Sequence, residues 1–364
     1  SVMKTTYKIP ASVCALYSGV ALSNAANADD ALPPLSLDVE KVTVSGLSAG
    51  GYMATQFHIA HSDWVKGAGI IAAGPYYCAQ NDITTALNQC VNKVDTPINL
   101  EALSSVAIDY ANEGSIAPLA GLKDAKVWLF HGTNDVRVTA QASDLLYRQY
   151  QSWTDTQNIV YVNDQPAAHH FPTLNKGSNC GVSESPFIGN CNYDAAGNML
   201  NHLLPNLTTP DDSVSGKVYT ISQQKIAGSD GETLAEKGFV FVPENCASGE
   251  SCRLHISFHG CNQYAEVVGN SYVTKTGINR WADDNNIVVL YPQTKKSLFM
   301  PLNPQGCWDW WGYTSDDYAN RKGAQISAVA NMIKGINTGT INKTTTNTGA
   351  INKATTNTGA VNND

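Results

Sequence analysis

The chain has 364 residues, 43% hydrophobic and 15% charged, with a formal net charge of −8. That much apolar content can build a sizeable core, which excludes global disorder. The acidic balance and the absence of a dense Lys/Arg cluster exclude nucleic acid as an expected partner.

In chain order, Met3 reads as the natural start, with Ser1 and Val2 as cloning residues. Lys4 and Lys8 precede a mostly apolar stretch from Ala11 to Ser23, followed by the small-residue pattern Ala26-Asn27-Ala28. Residues 3–28 therefore read as a secretory signal peptide, with an ordinary N-terminal helix as the alternative. No other segment is apolar for about 18 residues, so no membrane span is expected. Cys14 falls in the signal, leaving eight of the nine cysteines for the exported chain. An even number outside the cell implies disulfides, although eight cysteines allow 105 pairings. Short-range proximity suggests Cys78–Cys90, Cys180–Cys191 and Cys246–Cys252, which leaves Cys261–Cys307. No Cys-x-x-Cys pair occurs, and neither a metal nor an organic cofactor is expected.

Strand and helix patterns then alternate. Lys41–Val44 reads as a strand, Tyr52–His61 as a helix, Ala125–Phe130 as a buried strand, Ala140–Trp153 as a helix and Asn158–Val162 as a strand. In the second half Lys217–Ile221, Gly238–Val242, Arg253–Phe258 and Ile287–Tyr291 read as strands. Helical patterns end at Asp284 and run from Gln325 to Ile336. This alternation predicts an α/β fold with a mainly parallel central sheet flanked by helices. From 337 to 364 a decapeptide, TGTINKTTTN then TGAINKATTN, repeats without aromatics; it reads as a flexible low-complexity tail. The expected organisation is thus signal peptide 3–28, one catalytic domain 29–336 and the tail.

Gly46-Leu47-Ser48-Ala49-Gly50 matches G-x-S-x-G between a strand and a helix, the context of a nucleophile elbow. A serine hydroxyl is a weak nucleophile and needs a base oriented by a third group. In an α/β-hydrolase the acid and then the histidine follow the serine. Asp135 lies just past the strand that ends at Phe130, on the catalytic edge of the sheet, and is the candidate acid. The next strand leads to two adjacent histidines, His169 and His170, either of which could be the base. One oxyanion donor would be the backbone N–H of Ala49. The loop that should supply the second does not precede Ser48. It lies far downstream, where Arg253–Phe258 runs into His259-Gly260-Cys261, and the Cys261 N–H is the candidate. The strands that ought to precede the elbow therefore sit at 217–291, and the fold class expected is a circularly permuted α/β-hydrolase fold. Two independent domains are the rival arrangement.

These residues resemble a known family. SGLSAGGYMA, the Asp135 turn, HHFPT, SNC with SPFIGNCNYD, LHISFHGCNQ, WADDNNIVVLYPQ and NPQGCWDWWG together are similar to the single-domain extracellular polyhydroxybutyrate depolymerases, over residues 31–336. The resemblance implies the permuted fold and a hydrophobic polyester polymer as partner. It places the catalytic histidine in a His-x-Phe-Pro pattern, which selects His169. It implies Ala49 and Cys261 as oxyanion donors and Trp310 as a cleft residue that contacts polymer. Trp311, Tyr313 and Phe171 are further candidates for holding the chain. The family often has Ser where Ala49 stands, and many relatives carry a separate polymer-binding domain. A secreted monomeric serine esterase is expected. A feruloyl or acetylxylan esterase is the alternative within enzymes, and a non-catalytic secreted polymer binder the alternative outside them.

Overall fold

The computed structural model describes residues 31–91 and 97–337; the expected signal peptide and the repeat tail lie outside the described residues. Eight strands form one sheet. In chain order they are β1 (Ser36–Leu47), β2 (Val65–Ile71), β3 (Lys126–Phe130) and β4 (Ile159–Val162), then, after the three short strands described below, β8 (Lys217–Ser222), β9 (Lys237–Val242), β10 (Ser251–Phe258) and β11 (Ile287–Tyr291). Their spatial order is β4-β3-β2-β1-β10-β11-β9-β8. The chain thus enters the sheet at its centre. Strands of the N-terminal half extend one way from β1 and those of the C-terminal half the other, as a permuted sheet requires. Pairing from β4 to β11 is parallel. Near one edge β9 runs antiparallel to both of its neighbours, β11 and β8, so the expectation of a mainly parallel sheet holds, with a direction reversal that periodicity does not encode.

The interior strands read as continuous apolar runs because both faces are covered. In β11, Val288 and Leu290 enter one apolar cluster, and Ile287, Val289 and Tyr291 enter the other, on the opposite face. On the first face lie helix α1 (Ala49–Ala60), through Met53 and Phe57, and the C-terminal helix Ala324–Ile336, through Val329 and Met332. Every residue of α1 is buried, so this helix shows no amphipathic stripe. Further along come α2 (Ile83–Gln89), α3 (Leu100–Glu113) and α4 (Ala140–Gln151). On the second face lies α5 (Ala195–Leu203), through Met199 and Leu200.

β2 escapes a reading by pattern because Gly67 and Gly69 interrupt it. Gly69 has a structural reason: a Cβ there would run into the Met199 side chain, so the glycine lets α5 lie against the strand. Three short strands, β5 (Phe171–Thr173), β6 (Ser178–Asn179) and β7 (Ile188–Asn190), make a small separate sheet in the order β5-β7-β6. Four disulfides join Cys78–Cys90, Cys180–Cys191, Cys246–Cys252 and Cys261–Cys307. Among the described residues no helix is long and apolar enough to cross a membrane.

Several imidazoles sit in this core. Burial pushes His58 and His255 down to about 3, and His61 and His259 down to about 4. In the unfolded chain these groups take up protons as the pH falls below 6.5, while their native counterparts stay neutral. Their contribution is therefore complete above pH 6.5 and is lost progressively as the pH drops toward the folded values. Urea unfolding should show stability lower by at least about 2 kcal/mol at about pH 4.5 than at about pH 7. Equal or greater stability at the acidic value would contradict these buried neutral imidazoles.

Candidate active site

β1 ends at Leu47 and α1 begins at Ala49, so Ser48 alone makes the turn. Its backbone takes φ 57° and ψ −118°, a conformation costly for a residue with a Cβ. Ser48 N–H donates to Ile71 O at 2.9 Å, and Ser48 O accepts from Tyr52 N–H at 2.9 Å. The turn closes only because its neighbours lack side chains. A Cβ at Gly46 would run into the backbone of Gly50, and one at Gly50 into the carbonyl oxygens of Phe258 and His259. The second approach sets the elbow directly against the end of β10, where the His259-Gly260-Cys261 loop begins.

Asp135 lies beyond the end of β3. One carboxylate oxygen, Oδ1, accepts from the backbone N–H groups of Arg137 at 2.9 Å and Val138 at 3.0 Å. The other, Oδ2, meets His169 Nδ1 at 2.8 Å. Burial pushes the Asp135 pKa up. The hydrogen bond and charge of His169 and the Val138 N–H outweigh it, and the carboxyl ends below its usual value. Asp135 is thus an ionised, fixed acceptor. In the neutral tautomer whose Nδ1–H donates to Asp135, Nε2 is the ring's proton acceptor. His169 and Ser48 line the same cleft, of about 640 Å³.

The neighbouring histidine has another task. His170 Nε2 bonds Cys180 O at 2.8 Å and lies 3.9 Å from Cys191 Sγ. Its ring packs over Gly189, where a Cβ would collide with it. His170 with Cys180 and Cys191 is the one cluster of metal-type donors among the described residues, but the two sulfurs are bonded to each other. His131 bonds Val138 O at 2.6 Å, and His202 bonds Asn158 O at 2.7 Å. Both tie loops to the frame.

The loop after β10 is held on all sides. Gly260 N–H donates to Gln263 Oε1 at 2.7 Å, and Asn262 N–H to Gln305 O at 2.7 Å. His259 Nδ1 meets Gly260 O at 2.7 Å, and its Nε2 accepts from Thr294 N–H at 3.1 Å. Between those two anchored amides lies Cys261, tied covalently to Cys307. Cys261, Ser48 and His169 border one cleft. Gln263 also donates to Pro186 O at 2.9 Å and so connects this loop to the segment behind His169. Its place in LHISFHGCNQ was visible in the sequence, but its role as a bridge needed the geometry.

The aromatic candidates separate clearly. Trp310 lines the cleft and stacks on Tyr52 of α1, with centroids 4.2 Å apart and planes 6° from parallel. Trp311 stands at 88° to it and, with Tyr313, also lines the cleft. Asp309 sets this loop. Its buried carboxylate accepts from the backbone N–H groups of Trp311, Gly312, Tyr313 and Thr314 at 2.7 to 3.2 Å. Phe171 is a correction: it is fully buried, does not border the cleft, and packs edge-on against Tyr272 in the core of the second face. It opens β5 directly after the two histidines, with its side chain in the core and not in the cleft that His169 lines.

Chemically the site offers a hydroxyl on a strained turn, an imidazole held by an ionised carboxylate, and backbone amides at the start of a helix and in a fixed loop. The cleft is mostly apolar. Its mouth carries exposed Ile83, Leu87, Met300 and Leu302, with Leu298 and Phe299 exposed beside them.

A model of the prolyl oligopeptidase family matches residues 28–188. Poly(3-hydroxybutyrate) depolymerase of Delftia acidovorans is 39% identical over 314 residues, covering 85% of this chain; the chain spans 62% of that protein's length. Polyhydroxybutyrate depolymerase of Talaromyces funiculosus is 35% identical over 336 residues, covering 88% of this chain and 96% of that protein. Among solved structures, a PHB depolymerase variant complexed with an R3HB trimer superposes with a TM-score of 0.79 at 33% identity, covering 85% of this chain and 99% of that one. PHB depolymerase from Penicillium funiculosum superposes with a TM-score of 0.78 at the same identity and coverage.

The elbow geometry generates one prediction. Gly50→Ala should lower stability to urea by about 3 kcal/mol or leave no folded protein, because the new methyl meets backbone oxygens that cannot swing aside. Wild-type stability in this variant would mean that α1 does not sit so close to β10.

Proposed function

The chain belongs to the polyhydroxybutyrate depolymerase family, and from that premise we propose that it hydrolyses the ester bonds of poly(3-hydroxybutyrate) or a similar aliphatic polyester. The observation that carries the reading is that His169, hydrogen-bonded to the buried Asp135, lines the same apolar cleft as Ser48. His169 takes the proton from the Ser48 hydroxyl as it attacks the ester carbonyl. Asp135 orients the imidazole and stabilises its charged form. The Ala49 and Cys261 N–H groups receive the oxyanion; losing one such donor typically costs roughly 2.7–4 kcal/mol of transition-state stabilisation. His169 then protonates the departing alcohol, and water repeats the cycle on the acyl-enzyme.

Trp310 and Trp311, with Tyr313, hold the polyester chain beside Ser48. The apolar cleft and its rim support a polymer of hydrocarbon-rich units over a sugar ester, whose hydroxyls would need polar partners. An exposed apolar surface of this kind suits adsorption to an insoluble apolar solid. The four disulfides support export to an oxidising compartment. The protein works as a monomer, free of membrane, and residues 3–28 serve as the export signal.

Assays on poly(3-hydroxybutyrate) films and on feruloylated polysaccharide should show release of 3-hydroxybutyrate oligomers and little ferulate; the reverse would move the protein to the carbohydrate esterases. Ser48→Ala and His169→Ala should each lower hydrolysis of soluble esters by at least about a thousandfold, and His170→Ala by less than about tenfold. A larger loss in His170→Ala would reassign the base. Leu298→Ser combined with Phe299→Ser should lower film hydrolysis severalfold while soluble-ester hydrolysis changes little. Unchanged film hydrolysis would remove the rim from the adsorbing surface.

A further inference from the structure

Among the described side chains that line the cleft, one carries a fixed charge: Arg137. It sits on the turn that carries Asp135, and its backbone N–H holds that carboxylate. The side chain is exposed, and its guanidinium carbon lies over the Phe187 ring, 5.5 Å from the centroid. Phe187 is itself a cleft wall. The described ion pairs of arginines belong to Arg280 and Arg321; among the described residues no carboxylate reaches Arg137. The fork of N–H groups is therefore held over an apolar ring and left open to whatever occupies the cleft.

A neutral polyester backbone offers no reason for a fixed cation among the described, otherwise apolar or neutral polar, lining residues. Its ends do. Each hydrolysed ester leaves a carboxylate, and every free-acid oligomer has one carboxylate end and one hydroxyl end. A planar guanidinium matches a carboxylate with two parallel hydrogen bonds, a pairing that an ester carbonyl cannot copy.

We propose that Arg137 forms a carboxylate subsite, which takes the anionic end group of a hydroxyalkanoate oligomer as substrate or product. The proposal rests on the polyester reading above. The fragment that leaves as an alcohol keeps the original carboxylate end. An end group held at Arg137 therefore fixes how many units separate it from the bond that Ser48 cleaves. Long polymer chains meet this anchor only at their ends, whereas every soluble acid oligomer meets it.

The test uses the full chain hydrolysing 4-nitrophenyl butyrate, inhibited by the 3-hydroxybutyrate dimer as free acid or as methyl ester. The acid should inhibit the wild type more tightly than the ester. Arg137→Gln should raise the inhibition constant of the acid about tenfold and that of the ester by less than about twofold, and Arg137→Lys, which keeps the charge but not the planar fork, should retain only part of the preference. The wild-type preference should also shrink with added salt. Equal shifts for acid and ester, no shift for either, or no wild-type preference would overturn the subsite. Failure of the polyester reading shows elsewhere, as a wild type that hydrolyses neither films nor the trimer methyl ester, and the contrast between acid and ester inhibitors still reads Arg137.

Discussion

The structure depends on the parallel pairing of β1 with β10. These strands are some two hundred residues apart in the chain, yet Ser45 pairs with Ser257 and Gly46 with Phe258. The pairing places the Ser48 turn and the Cys261 loop side by side at the same sheet edge. It is reinforced by a buried polar relay: His255 meets Thr43 Oγ1 and Ser45 Oγ, each at 2.7 Å, and Ser45 donates onward to Ser257 at 2.9 Å. Ser257 in turn meets Tyr272, whose hydroxyl donates to Phe258 O at 3.0 Å. Buried polar groups of this kind are costly unless every partner is in place, so the relay favours this one register over its neighbours. A slip by one residue would leave His255 unsatisfied and turn Ser48 away from the loop.

The remaining parts of the site hang from that junction. β3 and β4, on the far side of β1 and β2, deliver Asp135 and His169 from consecutive crossovers. The disulfide between Cys261 and Cys307 carries the junction on to the tryptophan loop, and Asp309 gives that loop its shape. Gln263 returns the connection to Pro186, behind His169. Each proposed participant is therefore fixed by a group that is itself buried or crosslinked, which keeps reorganisation during the reaction small.

Much of this was legible because the informative residues sit at strand ends, where motif and position agree. Gly46 and Gly50 announced a tight turn, and Asp135 and the His169-His170 pair followed strands in the order the chemistry needs. The downstream His-Gly-Cys loop revealed the permutation because it was missing from its usual place. Other features follow tertiary constraints that leave no local mark. β2 contains glycines to admit Met199, so its pattern is weak. The reversal of β9 between β11 and β8 is a matter of topology, not of side-chain period. Phe171 reads as an aromatic available to the cleft, but it opens β5 with its side chain packed into the core of the second face, and only the fold shows which way it turns. The apolar run Leu298-Phe299-Met300 carries no local mark of exposure, yet all three are exposed beside the cleft, and only the fold shows where such a segment lies.

The central claim is that Ser48 is the nucleophile of this cleft. Treatment with a serine-directed phosphonate, followed by peptide mass spectrometry, tests it most directly. The account predicts one adduct per chain, on the peptide that contains Ser48, with loss of ester hydrolysis in proportion to labelling. Inactivation with the label on another residue, or full activity with Ser48 labelled, would contradict it.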